Sequence, residues 1–261
     1  MDLAQPSVRI RLLKLRIRKL CNALATRTGR RALMLHVAPA VEHHNLFQRF
    51  CFDFVVDVGA NRGQFLLVAG KSCPAATIIC YEPLSEPFLI LEKIAAEFDR
   101  VLCFPIALAE FNGESSMFVT EDDDSSSLLR PTNSQVQLSS GSRPSATELV
   151  TVARLDSRPE LREALSCNSL LKIDVQGFEL SVLKGAGSLL RSFSAIYVEC
   201  SYIELYEGQA LIGDVTEYLN KASFELTNVH NLTTLEGKAA QADFLFINKA
   251  SLRNGAKNIN V

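Results

Sequence analysis

The segment Asp57-Val58-Gly59-Ala60-Asn61-Arg62-Gly63 is the first stretch whose residue types and spacing could do chemistry. A β-rich apolar run, 52–58, leads into it, and a helical pattern through Phe65 and Val68 follows, so a strand turns sharply into a helix. Gly59 and Gly63 remove Cβ atoms where backbone must lie close to a ligand, and the start of the helix offers free N–H groups. Glu82, followed by Pro83, closes a second strand about 20 residues later, the spacing that brings a carboxylate to ribose hydroxyls. The dinucleotide fingerprint G-x-G-x-x-G is absent, and Asp57 stands two residues before the first glycine. That acid would repel a pyrophosphate and welcome a sulfonium or an ammonium. A glycine turn alone is common in purely structural turns; the acid at the end of the second strand strengthens the ligand reading.

The elements that must hold these residues alternate. Strand-like runs at 52–58, 77–81 and 101–105 are separated by helical patterns, the second opened by Ser85 and Pro87. Such a rhythm means a parallel sheet with right-handed crossovers. Residues 110–150 interrupt it with a turn, a strand-like 115–120, an acidic serine-rich 121–127 and a polar stretch 133–147 that reads as a mobile loop. The alternation then resumes with strands at 170–175 and 195–199. Runs at 224–229 and 243–247 are joined by a non-helical stretch and read as antiparallel neighbours. The fold class expected is α/β, a seven-stranded, mostly parallel sheet with an antiparallel C-terminal hairpin.

Several segments in this order resemble the FkbM family of methyltransferases: Asp57 to Gly63, Tyr81-Glu82-Pro83, Leu155-Asp156, Lys172-Ile173-Asp174-Val175-Gln176-Gly177-Phe178-Glu179, Leu183-Lys184-Gly185, Val198-Glu199 and Asp243-Phe244-Leu245-Phe246. The resemblance spans roughly residues 50–250, and the Lys-x-Asp-x-x-Gly-x-Glu segment is its most specific part. It implies a Rossmann-like class I methyltransferase fold, S-adenosylmethionine as methyl donor, and a hydroxyl acceptor on a sugar, glycan or natural product. Carried over by position, Gly59, Asn61 and Gly63 would line the methionine part, Glu82 the ribose, and Ala107 the adenine; Ser127-Leu128 resemble the family's Ser-Leu element. Family members usually carry glutamate where this chain has Gln176.

Methyl transfer from a sulfonium is an in-line displacement, so the main task is to hold three atoms collinear, helped by a base for the hydroxyl proton. In a parallel sheet the acceptor sits beyond the C-terminal strand ends. That nominates Asp174 and Gln176 after the fourth strand and Glu199 with Ser201 after the fifth, with His230 a third-rank base. Each has a plainer role available: Asp174 could bond its own turn, Glu179 could offset a helix dipole, Lys172 could pair with an acid. Asp174 with Glu199 could also take a divalent cation, so metal dependence stays open. Two rival readings remain. A nicotinamide dehydrogenase lacks its fingerprint here, and a catalytically impaired scaffold or cofactor-binding module has Gln176 as its only support.

Net charge is −2 over 261 residues and 48% of them are hydrophobic, which fits a buried core and not a nucleic-acid binder. The seven cysteines include no C-x-x-C pair, and the four histidines no H-x-x-x-H pair, so buried thiols in a cytoplasmic protein are expected. Residues 1–49 form a basic helical extension to a domain over 50–250, and 251–261 form a tail. Within the extension, Ile10, Leu13, Ile17, Leu20 and Leu24 recur at helical steps among arginines and lysines. Two partners suit that stripe: the domain itself, which is expected, or an anionic membrane surface.

Overall fold

The computed structural model describes residues 6–161 and 168–253. Three helices come first: α1 (Pro6–Leu24), α2 (Arg27–Met34) and α3 (His44–Arg49), with a 3₁₀ turn Val41–His43 before the last. The alternating part runs β1 (Phe54–Val58), α4 (Gln64–Ser72), β2 (Thr77–Tyr81), α5 (Ser85–Ala95) and β3 (Val101–Phe104). After it come β4 (Ala107–Leu108), β5 (Gly113–Thr120), α6 (Asn133–Leu138) and β6 (Pro144–Ala153). The alternation returns with β7 (Ser169–Ile173), α7 (Glu179–Gly185), β8 (Ala195–Ser201) and α8 (Ile212–Lys221), and ends in β9 (Phe224–Leu235) and β10 (Lys238–Asn248).

Seven strands form one sheet in the order β3-β2-β1-β7-β8-β10-β9, parallel except for β10, which is antiparallel to both neighbours. This is the Rossmann-like methyltransferase layout expected from the sequence. β1 and β7 are buried along their whole length because helices cover both faces of the sheet. Alternate residues feed two cores. Val56, Val58, Leu171 and Ile173 meet α7 and α8 through Val182, Leu183, Val215 and Leu219. Val55, Ile78 and Leu170 meet α4 and α5 through Leu66, Leu67 and Leu91 on the other face. The β9–β10 connection is the two residues Glu236 and Gly237, both at positive φ, the type I′ geometry that suits a twisted hairpin.

The insertion differs from expectation. Residues 133–147, read as a mobile loop, instead form α6, capped by the Thr132 hydroxyl, and the start of β6. β6 pairs with β5 over its length and with the short β4, making a second, three-stranded sheet. Its apolar side, Met117, Val150 and Val152, packs on Leu84, Ala107 and Ala109, with Leu128 and Phe178 alongside. The alternating apolar residues of 146–153 carried that strand signal, masked by the polar residues before them.

The N-terminal extension also differs. Its stripe, expected to dock on the domain, faces outward: Leu13, Ile17, Leu20 and Leu24 are each at least half exposed. The face turned to the domain carries Leu15, Lys19 and Ala23 instead. Ala23 is buried against α2, where Gly29 leaves no room for a Cβ beside the Ala23 carbonyl, and Lys19 pairs with Glu42 at 2.8 Å. The side chain of Ile10 and most of the tail 251–261 lie outside the described residues. Among the described residues no helix is long and apolar enough to cross a membrane.

Candidate functional site

The turn after β1 is held from three sides. Gly59 and Ala60 both donate their N–H groups to the Tyr81 carbonyl at 3.0 Å, tying the turn to the end of β2. A Cβ on Gly59, whose φ is +74°, would lie 1.8 Å from the Asp174 carbonyl oxygen, so the crossing of this turn over β7's end admits only glycine. Glu82 supplies the third hold: its Oε2 accepts from the Asn61 N–H at 2.8 Å and its Oε1 from the Leu84 N–H at 2.9 Å. Burial pushes the Glu82 carboxyl up to about 7 despite those two donors. Gly63, φ +92°, caps α4 and packs toward Leu91 and Ile94.

Two rows of polar side chains cross the sheet on the face covered by α4. In-register neighbours Asp57, Lys172 and Tyr197 form the first. Lys172 Nζ lies 2.8 Å from Asp57 Oδ1 and donates to the Gly59 carbonyl at 2.8 Å. Burial alone would lower the Lys172 ammonium, but Asp57 and Asp174 hold it above its ordinary value. Burial raises Asp57 in turn, with Lys172 opposing. Asp57, expected to face a cationic ligand, is instead turned beneath the turn by strand alternation, fully buried, with Lys172 as its cation.

The second row lies two residues further along the strands. Asp174, just past β7, stands beside Glu199, which pairs in register with Asp243, itself opposite His230. Gln176, at φ +56°, brings its side-chain amide between the first two acids: Nε2 donates to Asp174 Oδ1 at 2.7 Å and to Glu199 Oε2 at 3.0 Å. The Tyr206 hydroxyl lies 2.8 Å from Gln176 Oε1. Burial, then Asp174, raises the Glu199 carboxyl well above the usual carboxylate range. Glu179 Oε1 accepts from the N–H groups of Gly177 at 2.9 Å and Val175 at 3.3 Å, which makes it a brace for this turn. Burial pushes Glu179 up to about 7.

These elements enclose one open cavity. Gly59, Asn61, Glu82, Pro83 and Ala107 line it on one side, Lys172, Asp174 and Gln176 on another. Ile106, Leu108, Leu84, Met117 and Leu128 give it an apolar flank. Of the expected residues, Asp57, Gly63 and Glu199 are not on its wall. His230 is not on it either, and burial lowers its imidazole. The insertion closes over the turn: Asp123 accepts from Arg62 Nε at 2.6 Å and Asn61 Nδ2 at 3.3 Å, and the Ser127 hydroxyl donates to the Gln176 carbonyl at 2.6 Å. No group of three His, Cys, Asp or Glu side chains among the described residues is arranged to hold a metal ion.

Sequence reading missed His43. It comes from the 3₁₀ turn of the N-terminal extension, lines the cavity, and has Nδ1 3.1 Å from the Tyr197 hydroxyl and 3.4 Å from Asp243 Oδ2. Tyr197 in turn donates to Asp243 Oδ2 at 2.9 Å, and Asn231 Nδ2 donates to the same oxygen at 2.6 Å. Nothing local marks this histidine, because its partners are more than 150 residues away in the chain.

Residues 57–226, well over half of the chain, match the family described as Methyltransferase FkbM domain. The chain is 29% identical over 181 residues to the 2-O-methyltransferase NoeI of Sinorhizobium fredii (strain NBRC 101917 / NGR234), covering 66% of this chain and 72% of that one. Among solved structures, it is similar to magnesium protoporphyrin IX methyltransferase (ChlM) from Synechocystis PCC 6803 with bound SAM, at 10% identity and a TM-score of 0.41, over 80% of this chain and 81% of that one. Aeropyrum pernix fibrillarin in complex with S-adenosyl-L-methionine is similar at 12% identity and a TM-score of 0.42, over 75% of this chain and 67% of that one.

Proposed function

The chain belongs to the FkbM methyltransferase family, and from that premise we propose that it moves a methyl group from S-adenosylmethionine to a hydroxyl of a sugar or glycan. The observation that carries this reading is the cavity with two unlike walls. One wall is the Gly59–Asn61 turn with Glu82, suited to a nucleoside, and beside it Ala107, Leu108 and Met117 offer a flat apolar bed. The other wall is polar and acid-rich, with Asp174 partly exposed and Gln176 next to it.

The donor fits these residues on two counts. Glu82 keeps lone pairs free after its two backbone bonds, enough to accept from vicinal hydroxyls. Asp174, with a side chain 35% exposed, supplies a carboxylate near where a sulfonium would lie. When bound, S-adenosylmethionine supplies an electrophilic methyl on a positively charged sulfur. The chain's residues orient it, exclude water through the Asp123 and Ser127 contacts, and manage the acceptor's proton. A hydroxyl acceptor suits a wall of carboxylates and amides, and the similarity to a protein named as a 2-O-methyltransferase supports the same choice. The test has two stages: titration calorimetry with S-adenosylmethionine, then transfer of labelled methyl to a panel of methyl glycosides and oligosaccharides. Binding without transfer to any sugar, together with transfer to a lysine peptide or a nucleobase, would remove the O-methylation reading.

We propose an anionic membrane surface as the partner of α1. Leu13, Ile17, Leu20 and Leu24 form one exposed apolar face, and the exposed Lys14, Arg16 and Arg18 flank it. An apolar stripe rimmed by cations lies in the interface of an anionic bilayer, apolar side inward. Because Lys19 of the same helix lines the cavity, a docked helix would hold the cavity's mouth beside the membrane.

A further inference from the structure

We infer that His43 is a catalytic residue, the base that takes the proton of the acceptor hydroxyl, and that the N-terminal extension therefore completes the active site. This rests on the O-methylation reading above. A count of hydrogens carries the argument. Asp243 Oδ2 receives two donors, Tyr197 O–H at 2.9 Å and Asn231 Nδ2 at 2.6 Å, so that oxygen bears no proton of its own. The single hydrogen of the Tyr197 hydroxyl is spent on Asp243, which leaves its oxygen as an acceptor toward His43 Nδ1 at 3.1 Å. Asp243 Oδ2, 3.4 Å from Nδ1, is an acceptor as well. The two nearer partners of Nδ1 accept, and the third neighbour, Asn231 Nδ2 at 3.5 Å, already donates to Asp243 at 2.6 Å, so Nδ1 carries the hydrogen. The lone pair is then on Nε2, which has no hydrogen-bond partner among the described residues, on a ring that lines the cavity.

The ring is also fixed in place. Phe65 and Tyr197 meet it edge-on, with centroids 5.5 Å and 5.6 Å away. A base oriented through its second nitrogen by a buried carboxylate is a recurrent solution for activating a hydroxyl. In the step itself the acceptor oxygen forms a bond to the methyl carbon, and the carbon–sulfur bond breaks with its electron pair staying on sulfur. The hydroxyl proton ends on His43 Nε2, and the resulting imidazolium has Asp243 as its counter-charge. The other candidates serve less well. Glu199 is off the cavity wall, and Asp174 Oδ1 is engaged by the Gln176 amide. The titratable groups around His43 are Asp243, Tyr197 and His230 from the sheet, Asp57 and Lys172 behind Phe65, and Glu42 on its own turn.

Two measurements on the full-length protein decide. The first needs no acceptor: long-range ¹H–¹⁵N correlation spectra, with His43 assigned by its loss in His43→Gln, report which nitrogen of the neutral ring is protonated. Protonation at Nδ1 is expected, and protonation at Nε2 overturns the inference. The second uses whichever glycoside the transfer screen identifies. His43→Gln should lower kcat/KM by about 10²–10⁴-fold and abolish the fall in rate on the acid side of the pH profile, with S-adenosylmethionine affinity unchanged. Asp174→Asn should keep that acid limb. Full turnover in His43→Gln, or an acid limb that vanishes only in Asp174→Asn, overturns the assignment. A wild-type protein that binds no S-adenosylmethionine defeats the O-methylation reading and leaves the ring's tautomer as a separate result.

Discussion

Replacing Gln176 by glutamate, the residue usual in the family, should destabilise this chain in a strongly pH-dependent way. The amide donates one hydrogen to Asp174 and one to Glu199, at 2.7 Å and 3.0 Å. A glutamate there keeps the acceptor facing Tyr206 but recovers at most one of the two donated bonds, and only while protonated. The bond lost to a charged partner is worth about 1.5–3 kcal/mol. Keeping the new proton costs about 1.4 kcal/mol for each unit by which the solution pH exceeds roughly 4.3, the value in the unfolded chain. That is roughly 1 kcal/mol at pH 5. At pH 8 the cost levels off near the repulsion it avoids, about 4 kcal/mol for a charge pair at 4 Å. The sign follows from proton counts: between the unfolded and the raised folded value, the native variant binds more protons, so its stability falls as pH rises. Thermal melts of variant and wild type at pH 5 and pH 8 are the assay. The gap in melting temperature should widen by roughly 6–12 °C at the higher pH. Millimolar calcium or magnesium, which seek oxygen ligands, should narrow the pH 8 gap in the variant and leave wild type unmoved. An equal gap at both pH values would mean that Gln176 does not separate interacting carboxylates, and the reasoning would fail.

On the proposed function, Glu82 accepts from both ribose hydroxyls only as a carboxylate, and burial places it at about 7, so S-adenosylmethionine affinity should rise about tenfold from pH 6 to pH 8. Glu82→Gln should bind more weakly at pH 8 and lose most of that pH dependence, as calorimetry would register. Gly59→Ala should cost several kcal/mol or prevent folding, because its Cβ meets the Asp174 carbonyl at 1.8 Å. Gly63→Ala, whose Cβ meets a Leu91 methyl at 3.2 Å and Ile94 at ordinary contact distance, should lose about 1 kcal/mol or somewhat more through its positive φ, and urea melts of the pair would expose an equal loss if the contact does not matter. For α1, the protein should float with vesicles of phosphatidylglycerol and phosphatidylcholine and be released by salt. Serine at 13, 17, 20 and 24 should abolish this; flotation unaffected by those changes, or a leucine-dependent dimer in light scattering, would count against the membrane reading.

What the sequence disclosed and what it hid divide along a physical line. The parallel sheet was legible because β1 and β7 must be apolar on both faces, and runs such as Phe54-Val55-Val56 have few other uses. The turn at Gly59 and the acid at Glu82 were legible because each answers a local demand, a backbone crossing without a Cβ and an acceptor at a strand end. The direction of Asp57 was not, since it depends on which neighbouring strand supplies a lysine in register. β7 does so only because the chain returns to pair with β1 more than a hundred residues later. The orientation of α1 was hidden for a related reason. Its apolar stripe was evident, but periodicity cannot say which face the rest of the protein will occupy, and here Gly29 and Glu42 claim the opposite side.

His43 marks the limit of local reading, because it has no motif and lies outside the residues matched by the family. The sheet positions its partners with period-two regularity: Tyr197 two residues before Glu199 on β8, and Asp243 directly opposite Glu199 on β10. Both therefore project from one face, and only an element laid over that face can use them. α4 and the 3₁₀ turn before α3 are what cover it, and the turn delivers an imidazole to the point where Tyr197 and Asp243 converge. The sheet thus presents a carboxylate and a hydroxyl that a separate N-terminal segment converts into an oriented base. A chain with the same sheet but a different extension would keep the cofactor turn and Glu82 while losing this base.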